Sequence, residues 1–245
     1  MAREDPLPRP DGRSNGDLRP VSFQRSFTKN APGSVLACFG HTKVLCTAMY
    51  SDGVPPFLQG KGRGWLTAEY SMLPSSTESR KGRDRVGSVD GRSVEIQRLL
   101  GRSLRGVMDF TQMTERTIWI DCDVLQADGG TRTCAITGAF VALHDLLMHM
   151  DGRRILRGWP LKTQVAAVSV GVVNKEAVCD LSYVEDSKAE TDMNLVMTSE
   201  GKFIEVQGSA EGAAFDKGEL DSMLEIGTAA IHRLFELQKQ ALSTK

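Results

Sequence analysis

The chain has 245 residues, enough for one large domain or two small ones around a sizeable buried core. Its 30 basic and 31 acidic residues give a formal net charge of −1, so bulk charge does not indicate a nucleic-acid partner, and any basic surface must be local. The five cysteines are odd in number and well separated, which argues against a disulfide framework or a zinc site and predicts reduced, mostly buried thiols.

We do not expect the N-terminal segment to be a signal peptide. Residues 1–11 are polar and proline-rich without the apolar core of a signal peptide, and no apolar stretch approaches the roughly 20 residues that span a bilayer. We therefore expect a soluble cytoplasmic protein with no membrane partner. We also expect residues 1–11 to be a flexible extension and residues 12–245 to form one domain.

Predicted strands come first in the N-terminal half of the chain, and helices follow them. Extended segments are expected at residues 21–28, 34–39, 43–48, 65–72 and 117–125. Apolar residues at helical spacing predict one helix from about Ser93 and a second from the glycines before Thr131 to about Met150.

The C-terminal half repeats this order. Strands are expected at residues 164–173, 177–184, 192–198 and 203–207. A final helix, from about residue 216 to 242, carries apolar residues at helical intervals. Strands followed by helices indicate an α+β fold with antiparallel and mixed sheet. The order is compatible with two βα halves, although no sequence repeat is visible.

The chain turns sharply from strand into helix at residues 129–132, which read Gly-Gly-Thr-Arg. Glycines let a ligand approach the backbone, and free N–H groups at a helix start bind anions. Arg132 lies in the first helical turn, where a cation opposes the helix dipole and a bound anion would explain its presence. Taken alone, the segment is equally compatible with a glycine turn and a surface arginine. The helix predicted from about Ser93 also begins with a glycine and an arginine, Arg92. Two such starts in one chain favour a single anion that both helix starts face.

A basic segment with few apolar residues precedes the first helix. Residues 75–91 are predicted to form an exposed loop, and its basic residues are Arg80, Lys81, Arg83 and Arg85. A solvated loop is the simpler interpretation of this cluster, and a grip on a phosphate backbone is the alternative.

Acidic residues interrupt the predicted strands of the C-terminal half. Asp180 lies in an apolar strand, where aspartate is disfavoured, and Asp186 and Asp192 follow at even intervals. Even spacing can place carboxylates on one side of an extended chain. Paired carboxylates suit Mg²⁺ or Mn²⁺, and a protonated carboxyl group can act as a general acid. A cap or turn network is the alternative, and we prefer it for Asp192.

The remaining polar residues give no competing motif. His41 lies in a turn, and the other three histidines lie on helices without metal-ligand spacing. The sequence contains no Gly-x-Ser-x-Gly, Walker loop, dinucleotide fingerprint or Cys/His zinc pattern.

Several longer motifs, spread from residue 12 to the last helix, match one known family. They are residues 12–15, 18–20, 40–47, 64–70, 121–132, 186–187, 191–194 and 205–208. With these motifs over nearly the whole chain, the sequence resembles the ribonuclease PH family of bacterial phosphate-dependent exoribonucleases. Residues 1–11 lie outside the shared pattern.

The resemblance implies a phosphorolytic reaction at RNA 3′ ends. Inorganic phosphate would attack the 3′-terminal phosphodiester, chiefly of a tRNA precursor, and a nucleoside diphosphate would leave; the reverse reaction would add nucleotides. The resemblance also implies the family's α+β fold with two βα halves in one catalytic domain. It further implies Mg²⁺ or Mn²⁺, and a homo-oligomer assembled as a hexamer, a trimer of dimers, that binds RNA.

The family's site residues fall on matching positions of this sequence. The implied roles are phosphate binding by Arg92, Gly130, Thr131 and Arg132, catalysis and metal binding by Asp180 and Asp186, and RNA binding by Arg80 and Arg83. Ser75 stands where some relatives have a further arginine, which bears on tRNA affinity and dimer contacts rather than on the chemistry.

Two other functions compete with this one. A non-catalytic, RNA-binding ring subunit of the same superfamily would be marked by loss of the arginines or aspartates, and all of them are present. A nucleotide-dependent phosphotransferase is disfavoured because the sequence has neither a Walker loop nor a kinase loop.

Overall fold

The computed structural model describes residues 9–83, 90–211 and 214–244 of the chain. Within these ranges it has nine strands in two sheets and four α-helices. Each half begins with strands and ends in a long helix, which confirms the predicted α+β class with two βα halves.

The first sheet is built by the N-terminal half. Its strands are β1 (Val21–Arg25), β2 (Gly33–Phe39), β3 (Thr42–Asp52), β4 (Trp65–Met72) and β5 (Arg116–Gln126). They lie in the order β1-β2-β3-β5-β4, and all neighbours are antiparallel except β4 and β5, which are parallel. A parallel pair requires a crossover connection, and the helix α1 (Gly91–Gly106) lies in it and contacts β4.

The second sheet is antiparallel throughout. Its strands are β6 (Val165–Val173), β7 (Glu176–Cys179), β8 (Thr191–Thr198) and β9 (Phe203–Ala210). They lie in the order β7-β6-β8-β9. The long C-terminal helix α4 (Lys217–Ser243) packs against β6 and β7, with Ile231 and Leu234 in the core.

The helix α2 (Thr131–Gly152) contacts strands of both sheets and forms the centre of the core. Its side chains are buried on nearly every face. By length and composition alone α2 is apolar enough to cross a membrane, contrary to the expectation that no segment is. However, 78% of its apolar window is buried inside the protein, as in a core helix.

The cysteines match their prediction. All five are free, and all but Cys38 are buried. Cys46 and Cys122 face each other across the β3–β5 pair with their sulfur atoms 3.8 Å apart. Burial raises the pKa of the Cys134 thiol, so it stays protonated and inert.

The predicted strand at residues 177–184 ends early. β7 stops at Cys179, because Asp180 adopts a left-handed backbone conformation with a φ of 51° that leaves the ladder. Ser182 and Glu185 then form a capping box that begins the short helix α3 (Tyr183–Asp186). Asp180 and Asp186 therefore do not share one extended strand, and the spacing argument that placed them side by side is wrong.

Arg9 does not belong to a flexible extension, contrary to the prediction for residues 1–11. Arg9 is only 6% exposed and donates hydrogen bonds to Glu185, so the chain is anchored to the domain from this residue onward. Residues 1–8 lie outside the described residues.

Candidate active site

The predicted glycine turn is present between β5 and α2. Gly129 and Gly130 have φ values of 73° and 60°, a region that side chains other than glycine rarely adopt. A Cβ atom added to Gly129 would lie 2.4 Å from the carbonyl oxygen of Leu181. The turn is therefore packed directly against the segment that leads into α3, and only glycine fits at position 129.

The N-terminus of α2 opens at this turn. The first backbone hydrogen bond of the helix joins the N–H of Cys134 to the carbonyl of Gly130 at 3.0 Å. The N–H groups of residues 131–133 thus have no carbonyl acceptor within the helix, and such free N–H groups at a helix start bind anions. Thr131 is held in place by the phenol of Tyr70, which lies 2.9 Å from its hydroxyl oxygen.

Arg132 is held by two residues that the sequence analysis did not identify. Its Nη1 donates to Glu95 Oε1 at 3.2 Å and to Gln207 Oε1 at 3.3 Å. Gln207 also donates to Glu95 at 2.9 Å, which closes a triangle between α1, α2 and β9. The signals for these partners were weak: Glu95 lies one helical turn after Arg92, and Gln207 lies in a motif shared with the resembled family.

Arg92 lies exposed in the first turn of α1. Asp90 caps this helix by accepting a hydrogen bond from the Arg92 N–H and also pairs with Lys81 at 2.7 Å. The charges of Arg92 and Arg132 both lower the pKa of Asp186, although burial outweighs them and raises it overall. Both helix-start arginines are therefore close enough to Asp186 to act on its charge, while the prediction that they face one bound anion stays a prediction.

Asp186 is placed near Asp192. Burial raises the pKa of Asp192 to about 6, and the negative charge of Asp186 contributes to this rise. Asp192 lies within β8, so the prediction of a cap or turn network for this residue is wrong. Together with Arg132 it lines a pocket of about 250 Å³, whose walls are Glu95, Arg132, Asp192, Asn194, Gln207, Gly208 and Ser209.

Asp180 has a different environment from the one predicted. It is fully buried, and its carboxylate accepts hydrogen bonds from the backbone N–H of Arg19 at 2.7 Å, from Nε at 3.0 Å and from Nη2 at 2.7 Å. Arg19 also donates to the carbonyls of Asp128 and Gly129. Asp180 thus ties the acidic segment to the glycine turn through one arginine, and the structure does not bring it to Asp186 as an open pair.

These carboxylates are the candidate ligands for a divalent cation. Among the described residues, no group of three His, Cys, Asp or Glu side chains is arranged to hold a metal. Asp192 lines the pocket and Asp186 lies near Asp192, so the two offer hard oxygen ligands. Mg²⁺ commonly takes one or two carboxylates, and substrate phosphates complete its shell. Asp180 does not fit this role in this arrangement, because a cation would have to displace Arg19 from a buried carboxylate.

The predicted RNA-binding residues lie apart from this pocket. Arg80 and Arg83 are exposed on the loop that follows β4, as is Ser75. Arg85 lies outside the described residues. The loop approaches the site through Lys81, which pairs with the cap of α1.

The chain is similar to known proteins over almost its full length. Family models described as "3′ exoribonuclease family, domain 1" and "3′ exoribonuclease family, domain 2" match residues 17–148 and 163–230. A protein named Ribonuclease PH from Synechococcus sp. (strain JA-2-3B'a(2-13)) is 56% identical over 238 residues, covering 96% of this chain and 97% of that protein. A Ribonuclease PH from Synechococcus sp. (strain JA-3-3Ab) is 54% identical over 238 residues, covering 96% and 98%.

Solved structures share the fold at low sequence identity. Rice (Oryza sativa) Rrp46 superimposes with a TM-score of 0.78 at 22% identity, covering 96% of this chain and 100% of that one. A chain of the Archaeoglobus fulgidus exosome with RNA bound to the active site gives a TM-score of 0.78 at 20% identity, covering 94% and 92%. At these identities the similarity shows a shared fold and no more.

Proposed function

This chain belongs to the ribonuclease PH family of 3′ exoribonucleases, and we propose that the attacking phosphate binds between Arg92, Arg132 and the start of α2. The enzyme is a phosphorolytic 3′–5′ exoribonuclease that uses inorganic phosphate as co-substrate. An oxygen of phosphate bonds to the phosphorus of the 3′-terminal phosphodiester. The bond from that phosphorus to the ribose O3′ breaks, a nucleoside diphosphate leaves, and O3′ of the shortened RNA takes a proton.

One observation carries the placement: Arg132, in the first turn of α2 directly after the glycine turn, lines the same pocket as Asp192. Phosphate and RNA are both anions, so the nucleophile must be neutralised before it can approach the phosphodiester. The guanidinium groups of Arg92 and Arg132 and the free N–H groups of α2 provide that neutralisation. Holding phosphate and RNA end in contact is most of what such a site must do.

Glu95 and Gln207 prepare Arg132 for this role. Their hydrogen bonds fix the guanidinium group while leaving its other nitrogen atoms for phosphate. An arginine that is already oriented loses less conformational entropy when the anion binds. Glu95 also places a negative charge beside the anion, so it orients the arginine while weakening phosphate binding.

The carboxylates act at the RNA end of the pocket. Asp186 and Asp192 are the residues that would hold Mg²⁺ or Mn²⁺, and such an ion would offset the negative charge that develops on the phosphoryl oxygens. Asp180 acts indirectly, because it holds Arg19 and thereby the glycine turn. This division replaces the predicted Asp180–Asp186 pair as the metal site.

We also propose the cellular setting. Precursor tRNA is the main substrate, and Arg80 and Arg83 contact its phosphate backbone from the exposed loop after β4. A homo-hexameric ring, a trimer of dimers, is supported by the shared fold with exosome subunits. Five free cysteines fit a cytoplasmic location. Sedimentation of the purified protein tests the ring, which requires six copies of the 26.8 kDa chain per particle.

The proposed site is tested by the phosphate dependence of single variants. Arg132→Ala should raise the KM for phosphate, whereas Arg116→Ala, at the opposite end of β5, should leave it unchanged. Binding of a 3′-extended tRNA, measured without phosphate, should be similar in both variants. An unchanged phosphate KM in Arg132→Ala would remove this arginine from the site.

A further inference from the structure

Arg9, the first residue that the structure describes, binds the acidic segment that carries Asp186. Arg9 Nε donates to Glu185 Oε1 at 2.6 Å, and Arg9 Nη2 donates to Glu185 Oε2 at 2.9 Å. Both side chains are only 3% exposed. This is a two-pronged arginine–carboxylate pair, the geometry in which such pairs are strongest.

A second arginine reinforces the first. Arg13 Nη2 donates to the backbone carbonyl of Asp180 at 3.2 Å and lies 3.4 Å from Glu185 Oε2. Arg9 also donates to the Asp180 carbonyl, at 3.3 Å. Arg9, Arg13 and Glu185 together form what we call the arginine clamp, which closes on the turn between β7 and α3.

Glu185 connects the clamp to the helix. Its Oε2 accepts hydrogen bonds from the N–H and the hydroxyl of Ser182, both at 2.9 Å, which begin α3. The helix has four residues, and a single turn is too short to be stable by itself. Asp186 is the last residue of α3, so its position depends on external contacts that keep this turn in place.

We propose that Arg9, together with Arg13, is a positioning residue for Asp186 and acts through Glu185. The proposal rests on the proposed function, which assigns Asp186 to the reaction. The contacts of Arg9 are with Glu185 and backbone carbonyls near the start of the chain and at Asp180. A role for the N-terminal segment in catalysis follows, although that segment lies outside the pocket.

The chemistry of the clamp requires arginine. One planar guanidinium group donates to both carboxylate oxygens of Glu185 and to the Asp180 carbonyl at once, whereas a lysine ammonium group is a point charge without this fork. Loss of Arg9 would also leave the buried Glu185 with one longer arginine contact, to Arg13 at 3.4 Å, beside its hydrogen bonds from Ser182. We therefore expect α3 to open locally when Arg9 is absent, while both sheets remain folded.

Arg9→Ala in the full chain tests the clamp. This variant should show at least a tenfold lower kcat for phosphorolysis, with the KM for phosphate changed less than twofold. Amide hydrogen exchange at residues 185–187, whose N–H groups bond within α3, should be at least tenfold faster.

A matched control separates positioning from general destabilisation. Arg25 pairs with Asp145 and donates to carbonyls at the end of α4. Arg25→Ala therefore removes an arginine that, like Arg9, binds a carboxylate and backbone carbonyls, but that makes these contacts with α2 and α4 and not with α3. This variant should melt earlier while keeping the kcat and the exchange rates of residues 185–187. An equal loss of kcat in this control, or an unchanged kcat in Arg9→Ala, would overturn the proposal.

Two further outcomes are distinguishable. If Arg9→Ala does not fold, Arg9→Lys takes its place. It should show faster exchange at residues 185–187 and a kcat several-fold lower, and unchanged values of both would overturn the proposal. If the full-length enzyme itself shows no phosphorolysis, the proposed function fails, and the exchange measurement still decides whether Arg9 holds α3.

Discussion

Asp180 and Asp186 lie in one short segment, yet their environments are opposite. Asp180 is fully buried and both of its oxygens accept hydrogen bonds from Arg19. Asp186 is half-buried, lies near the pocket-lining carboxylate of Asp192 and has a pKa raised above its ordinary value, mainly by burial. A carboxylate whose two oxygens both accept hydrogen bonds from an arginine stabilises the fold. A carboxylate without such a partner can bind a cation or exchange a proton. Residue type and spacing alone do not distinguish the two.

The largest effect is expected at the open carboxylate. Asp186→Asn should lower kcat by about 10² to 10⁴-fold, the range for loss of a positioned acid–base or cation-binding group. RNA binding and the melting temperature should remain close to those of the unmodified enzyme, because Asp186 is not part of the core. Steady-state release of nucleoside diphosphate measures the change, and turnover within tenfold of the original would make this carboxylate structural.

Asp180→Asn tests the other side of the comparison. Removing the negative charge leaves Arg19 buried beside a neutral amide, and breaking a buried ion pair costs about 3–5 kcal/mol. The free energy of unfolding in urea should fall by that amount, whereas in Asp186→Asn it should hardly change. A fall of less than about 1 kcal/mol would mean that the Arg19–Asp180 pair contributes little to stability.

Arg132→Ala should act on phosphate rather than on RNA. Hydrogen bonds to a charged group are worth about 1.5–3 kcal/mol, so kcat/KM for phosphate should fall by roughly 10- to 150-fold. The affinity for RNA without phosphate should change less than threefold. A proportionate loss of RNA affinity would instead place Arg132 on the RNA backbone.

Glu95→Gln should produce a smaller change in the opposite direction. The amide still holds Arg132 in place, but the negative charge that competes with phosphate is gone. Because Glu95 is about half exposed, at 47%, the gain is limited to the few tenths to 1 kcal/mol typical of surface ion pairs. The KM for phosphate should fall about two- to fivefold at low salt and less at high salt; a rise would show that orientation of Arg132 outweighs repulsion.

The smallest effect on chemistry is expected in the exposed loop. Arg80→Ala combined with Arg83→Ala should leave kcat on a short oligonucleotide unchanged and weaken binding of precursor tRNA. Each lost phosphate contact should reduce the slope of log affinity against log salt by about 1. Arg153→Ala, at the far end of α2, is the control and should not alter the slope. An unchanged slope in the double variant would mean that this loop does not touch RNA.

Local features of the fold could be predicted from the sequence. The turn at Gly129 and Gly130 was predictable because its glycines, the preceding strand and the following helix are consecutive in the chain. The end of β7 was also signalled, since Ser182 and Glu185 have the spacing of a capping box, but the apolar run before them favoured a longer strand. Recognising that signature would have separated Asp180 from Asp186.

The contacts that define the site could not be predicted from the residues alone. Glu95 and Gln207 meet Arg132 only because α1 and β9 come together in space, more than a hundred residues apart in the chain. Arg19 and Arg9 reach their carboxylates across even longer separations, of 161 and 176 residues. Such partners depend on tertiary packing, which a pattern of local spacing does not contain.

The most direct test of the account is the product of the reaction. The purified enzyme, given a 3′-extended tRNA, Mg²⁺ and isotopically labelled inorganic phosphate, should release nucleoside diphosphates that carry the label. It should do so only when phosphate is present. Release of nucleoside monophosphates without added phosphate would contradict the account, because the pocket at Arg132 would then not hold the nucleophile.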